Sequence, residues 1–173
     1  MRGGVALGDR IIDLKALLDT ALLSGEAAEA AQAAAGSSLA PLLACPSTAV
    51  SALRARLSDL FREGGGGDPA RLEAALVPMA EAELLLPLKP TAFTDFCTSI
   101  DHIKRMAGGA APLAAMSLPV AYNGRASSVV ASGTPIMRPS GQFASSSDCA
   151  NVVFGPEPML DFELEFGVWL RDS

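Results

Sequence analysis

Leu118-Pro119-Val120-Ala121-Tyr122-Asn123-Gly124-Arg125-Ala126-Ser127-Ser128-Val129-Val130-Ala131-Ser132-Gly133-Thr134-Pro135-Ile136 is two apolar, β-type runs punctuated by two turn signals. Asn-Gly is a strong hairpin signal, because both residues tolerate the positive φ that a tight two-residue turn demands. The stretch predicts strand, turn at Asn123-Gly124, strand, and a second turn at Ser132-Gly133. Taken alone it describes a plain hairpin. It also sets the class of the second half of the chain: its own Ser128-Val129-Val130 is a short β-type run, and Leu84-Leu85-Leu86 and Val152-Val153-Phe154 lie on either side of it. Proline is frequent throughout this half, at Pro78, Pro87 and Pro90 and again from Pro112 to Pro158.

Toward the N-terminus the pattern changes. Val5-Ala6-Leu7 and Ile11-Ile12 flank Gly8-Asp9-Arg10 and predict a short hairpin. Leu14 to Leu23 predicts a helix, with Leu14, Leu17, Leu18, Ala21 and Leu22 at helical spacing. Glu26 to Ala35 is alanine-rich and favours helix, with Gly36 as a stop. Ser47 to Arg62 predicts the clearest amphipathic helix: Val50, Leu53, Leu57, Leu60 and Phe61 share a face and Ser47 caps it. After the break at Gly64 to Gly67, Asp68-Pro69 starts another short helix, Asp as cap and Pro at the first helical position. A boundary near Pro87 to Pro90 divides the chain into a small helix-and-hairpin part, residues 1–88, and a β-rich part, residues 89–173. The expected class is α+β.

Bulk properties narrow the function. The 173 residues are half apolar, so a core is easily buried, while net charge is −6 and the pI about 4.7. No basic run could neutralise phosphates, which argues against nucleic acid and against an anionic membrane surface as partners. Asp9, Arg10, Asp13 and Lys15 stand where a signal peptide needs an apolar core, and charges interrupt every long apolar run before it could span a membrane. Cys45, Cys97 and Cys149 are widely spaced and odd in number, suggesting neither a disulfide framework nor a zinc knuckle. A reducing cytosol suits such a chain.

Two segments carry candidate chemistry. Asp161-Phe162-Glu163-Leu164-Glu165-Phe166 alternates strictly. As a strand it would put Phe162, Leu164 and Phe166 on one face and three carboxylates on the other, about 7 Å apart. Carboxylates so close suit a hard cation such as magnesium or calcium, and equally a solvated outer sheet face. Thr94-Asp95-Phe96-Cys97-Thr98-Ser99-Ile100-Asp101-His102 follows a proline and could open a helix capped by Thr94. Asp95 and His102 would then share a face about 10 Å apart along the axis, too far for both to hold one ion. The arrangement would suit Asp95 on a metal with His102 acting on water or substrate above it. His102 is the sole histidine; a histidine at a helix surface is the alternative.

Taken together and in order, these motifs resemble the fumarylacetoacetase family. The stretch from Leu118 is similar to that family's Leu-Pro-Val, Gly-Tyr-His-Gly-Arg-Ala-Ser-Ser, valine run and Ser-Gly-Thr-Pro-Ile, and Arg138-Pro139 and Gly141-Gln142 continue the likeness. Upstream, Val77 to Leu86 and Thr94 to His102 resemble the segment leading to its catalytic histidine. Downstream, Phe154-Gly155-Pro156 to Glu165 resembles its paired-glutamate strand. The likeness is good from about Val77 to Trp169 and weak before. It implies a small N-terminal domain of SH3-like character followed by the start of a mixed β-roll catalytic domain. It implies carbon–carbon cleavage of a β-diketo acid to fumarate and acetoacetate, in tyrosine and phenylalanine catabolism, by a metal-dependent, cytoplasmic homodimer. By position Asp95, Glu163 and Glu165 match three carboxylate ligands of a divalent ion, Mg²⁺ or Ca²⁺. His102 matches the base that activates water, and Tyr122 a tyrosine that contacts substrate.

Departures accompany the likeness. Cys97 stands at a usual tyrosine, Asn123 at a usual histidine, and the stretch between His102 and Tyr122 is shorter. The family's fourth metal ligand, its lysine and the glutamate that orients its histidine have no counterpart before Ser173. The resemblance therefore leads us to expect an incomplete catalytic domain, inactive by itself and binding a divalent ion weakly. Alternatives are a hydrolase or decarboxylase for a related β-keto acid, or a non-catalytic binding or assembly module.

Overall fold

The computed structural model describes residues 1–144 and 151–170. It is a mixture of helices and small antiparallel sheets, an α+β chain. Two compact units are distinguished, Met1–Ala131 and Ser132–Ser173.

The first unit begins with strands β1 (Gly4–Leu7) and β2 (Arg10–Asp13), paired antiparallel with Leu7 opposite Arg10. Gly8 sits in the turn at φ +60°, a conformation that costs glycine nothing. Helix α1 (Leu14–Asp19) follows at once, because the Asp13 carboxylate accepts from the Lys15 and Ala16 N–H groups. The helix stops four residues short of the expected Leu23. Thr20 Oγ1 donates back to the Leu17 carbonyl at 2.6 Å, and Ala21 turns into the left-handed region at φ +58°. Helix α2 (Gly25–Ala34), the four-residue α3 (Ala40–Leu43) and α4 (Ser47–Phe61) come next. Pro46, not Ser47, occupies the position before α4, and its carbonyl accepts from the Ala49 and Val50 N–H groups.

The core lies where α1, α2 and α4 meet. Ala30, Ala31 and Ala34 on α2 are fully buried. Their small side chains leave room for Ala49, Leu53, Leu57 and Leu60 of α4, and Leu17 of α1 completes the cluster. The buried face of α4 is thus rotated from the expected one: Val50 is 38% exposed. Arg56 reaches back with Nε and Nη2 to the Leu22 carbonyl, tying α4 to the α1–α2 connection. Helix α5 (Pro69–Glu73) forms as expected, with Asp68 accepting from the Ala70 and Arg71 N–H groups. Strand β3 (Leu76–Pro78) then pairs with β2, giving the sheet order β1-β2-β3.

Beyond β3 several expectations fail. Leu84-Leu85-Leu86 is not a strand; it lines an open apolar groove of about 400 Å³ together with Gly3, Gly36 and Leu39. Thr94–Phe96 opens no helix. It is strand β4, and the helix α6 (Ile100–Met106) starts later, capped by Ser99. After α7 (Leu113–Ser117), strand β5 (Ala121–Asn123) pairs with β4 and not with the valine run across Asn123-Gly124. Residues Ala126–Ser128 form a 3-10 turn where a strand was expected.

The second unit contains β6 (Ser140–Ala144) and β7 (Val152–Pro156), an antiparallel pair that includes the anticipated Val152–Phe154 run. The acidic alternating segment after it is not a strand: residues 161–170 pair with no other described strand. A strand needs a partner edge to satisfy its backbone, and sequence alternation cannot supply one. Neither Cys45 nor Cys97 forms a disulfide, and Cys149 lies outside the described residues. Among the described residues no helix is long and apolar enough to cross a membrane.

Candidate active site

Strands β4 and β5 are three residues each, and their register sets Asp95 directly opposite Tyr122. Directly opposed residues project from one face with Cβ atoms about 5 Å apart, so the two side chains meet. The Tyr122 hydroxyl donates to Asp95 Oδ2 at 2.6 Å. That length is at the short end for O–H···O hydrogen bonds. Thr94 Oγ1 donates to the Tyr122 carbonyl at 3.2 Å, and the Cys97 and Gly124 N–H groups donate to the Val120 and Phe93 carbonyls. Gly124 lies directly against the Phe93 ring. A Cβ built there would fall 1.8 Å from the Phe93 ring.

The site is open. Tyr122 is 63% exposed, and Asp95 and His102 are half-buried. His102 lies in the first turn of α6, where its N–H donates to the Ser99 hydroxyl at 3.3 Å. Asp101 in the first turn and Lys104 and Arg105 in the last complement the helix dipole. Ile103, 8% exposed, anchors the helix, so the neighbouring imidazole is held partly outward. Among the described residues no hydrogen bond reaches that imidazole.

The structure therefore brings Asp95 and Tyr122 together, with His102 on an element of the same unit. Asp95 and His102 do not share a helix face, because Asp95 is on a strand. Glu163 and Glu165 belong to the second unit, in the unpaired segment where both are exposed. Among the described residues no group of three or more His, Cys, Asp or Glu side chains is gathered for a metal ion. Oxygen donors of this kind are the chemistry that a hard divalent cation requires, and Asp95 Oδ1 accepts no hydrogen bond among the described residues. The groove of about 400 Å³ is elsewhere and none of Asp95, His102 or Tyr122 lines it.

Sequence reasoning missed the Asp95–Tyr122 contact, the Thr94 bond that supports it, and the Ser99 cap. Only the last had a local signal, a serine three residues before His102.

A family model described as fumarylacetoacetase N-terminal matches residues 1–87. The chain is 36% identical over 173 residues to a fumarylacetoacetase of Oryza sativa subsp. japonica, covering 95% of this chain and 40% of that protein. It is 36% identical over 177 residues to a fumarylacetoacetase of Caenorhabditis elegans, covering 96% and 42%. With that of Bos taurus the identity is 35% over 192 residues, covering 98% and 42%. The chain thus spans about two fifths of the length of these relatives. With a domain model over its first half and similarity running through nearly all of it, the chain belongs to the fumarylacetoacetase family.

Proposed function

We propose that this chain contributes the small domain and part of the catalytic site of a hydrolase that cleaves fumarylacetoacetate to fumarate and acetoacetate. The observation that carries the proposal is the similarity to fumarylacetoacetases, which extends over 95% of the chain and so includes the Asp95–His102 and Tyr122 segments. On this reading residues 1–88 are the family's small domain, of SH3-like character, and residues 89–173 open its β-roll. The complete protein is a cytoplasmic homodimer acting in aromatic amino acid breakdown.

Roles follow from side-chain chemistry. His102 takes a proton from water, whose oxygen bonds to the carbonyl carbon that becomes the fumarate carboxylate. The bond to the acetoacetate carbon breaks, and that carbon is finally protonated. Tyr122 contacts the substrate beside this centre. Asp95, with Glu163 and Glu165, would hold Mg²⁺ or Ca²⁺, which supplies Lewis-acid stabilisation of the departing enolate. The 173-residue chain by itself is expected to bind the ion weakly and to turn over little substrate; among the described residues no group of three or more His, Cys, Asp or Glu side chains is gathered.

The test is a chimera in which this chain replaces the matching part of the rice fumarylacetoacetase, assayed by loss of diketone absorbance. Turnover that falls by about 10²-fold or more in His102→Ala supports the assignment, in line with the usual contribution of general base catalysis. A folded but inactive chimera, or turnover indifferent to His102→Ala, counts against it. Cys97, next after β4, and Asn123, the last residue of β5, favour a second reading in which the substrate is another β-keto acid. A chimera preferring such a substrate over fumarylacetoacetate would establish that one.

A further inference from the structure

We infer that Ser99 is a positioning residue for His102: it fixes the backbone from which the imidazole is presented, so the base is aligned from the main-chain side. The inference rests on the proposed role of His102 as general base and needs no metal ion. Ser99 has the extended dihedrals of a capping residue, φ −96° and ψ 109°, and its hydroxyl accepts from the N–H of His102 itself at 3.3 Å. Its carbonyl accepts from the Ile103 N–H at 3.1 Å. Both oxygens of one residue thus hold the amides on either side of the His102 Cα. Ile103, 8% exposed, pins the next side chain inward. Side chains on a helix lean toward its N-terminus. In α6 that end is reached from β4 through Cys97, Thr98 and Ser99. The Cα–Cβ bond of His102 therefore leans toward the chain leaving the strand that carries Asp95. Among the described residues no hydrogen bond reaches the imidazole, so this turn is what aligns it.

His102 is the chain's single histidine, which gives the test a direct reporter. Ser99→Val removes the acceptor, and Ser99→Thr keeps it in a side chain of the same shape as valine. Loss of a cap of usual strength shifts the equilibrium of the first turn about fivefold. In the 173-residue chain, the one imidazole Cε1–H resonance should move toward that of a short unstructured peptide in Ser99→Val and stay in place in Ser99→Thr. The helical melt, dominated by the core of α1, α2 and α4, should be the same in both. In the chimera with the rice fumarylacetoacetase, kcat should fall about fivefold or more in Ser99→Val, with KM within about twofold, and recover in Ser99→Thr. Ser99→Val added to His102→Ala should cost nothing more, because a residue that acts through the imidazole has nothing to act on once it is gone.

The outcomes separate. A resonance unmoved by Ser99→Val, or a kcat unmoved by it while His102→Ala still suppresses turnover, overturns the positioning role and leaves the base standing. Equal losses from Ser99→Val with and without the imidazole assign the effect to a loosened helix and also overturn it, as does a loss that Ser99→Thr fails to recover. A folded but inactive chimera, or turnover indifferent to His102→Ala, removes the base and the inference with it.

Discussion

Helix α4 offers a test in which two neighbouring substitutions have expected losses of very different size. Leu53 is 5% exposed within the core cluster, whereas Val50 is 38% exposed, although both fall on the apolar stripe read from the sequence. Leu53→Ala deletes buried methyl groups and leaves a cavity against α2, and core changes of this kind cost about 2–5 kcal/mol. We take about 3 kcal/mol, which corresponds to a fall in Tm of about 6–12 °C for a chain of this size. Val50→Ala removes two methyl groups worth about 1.6 kcal/mol if fully buried, so about 1 kcal/mol at the observed exposure. Alanine returns about 0.6 kcal/mol through its higher helix propensity, leaving a net loss near 0.4 kcal/mol. Urea unfolding followed by helical circular dichroism measures both. Comparable losses would place Val50 and Leu53 on one buried face and refute the packing described here, as would a loss below about 1 kcal/mol for Leu53→Ala.

Other predictions are simpler. Asp68→Ala removes the acceptor for two N–H groups at the start of α5 and should cost about 1 kcal/mol in the same unfolding assay, whereas Asp68→Asn should recover most of it. Gly124→Ala places a methyl group in the Phe93 ring and should weaken calcium binding by displacing the end of the β4–β5 ribbon. Phe93→Ala in the same chain should restore binding, and failure to do so would mean that the ring is not the obstacle. Phe162, Leu164 and Phe166 are 86%, 96% and 95% exposed, and so much apolar surface in one run favours association. Sedimentation should show the chain self-associating and Leu164→Lys shifting it toward monomer; no change with Leu164→Lys would remove this segment as the cause.

Features that depend on near neighbours were legible from the sequence. The β1–β2 turn needs only Gly8 to accept φ +60°, and α5 needs only Asp68 followed by Pro69. The alanines of α2 gave the helix but not its role as the close-packed centre, which depends on what α4 brings to it. Legibility failed where pairing is distant. Asn123-Gly124 carries a hairpin signal, yet β5 pairs with residues 94–96, and Gly124 is used for close approach to Phe93. Thr94–Phe96 is too short to show a period, so Thr94 reads from sequence as a helix cap although it opens a strand. The same limit hid the Asp95–Tyr122 contact, since register between strands so far apart is not encoded in either strand alone. Asp161 to Phe166 shows the converse: perfect alternation without a described partner strand remains unpaired.

The β4–β5 ribbon clips together the two ends of a long excursion, with Phe96 opposite Ala121 at its base and the His102 helix inside it. Closing a flexible loop costs only about 0.6 kcal/mol more each time its length doubles. Residues between His102 and Tyr122 can therefore be lost or gained over evolutionary time while the stem keeps Asp95 facing Tyr122. A lineage with such a stem can reshape the surroundings of His102 by insertion and deletion while Asp95 and Tyr122 stay in register.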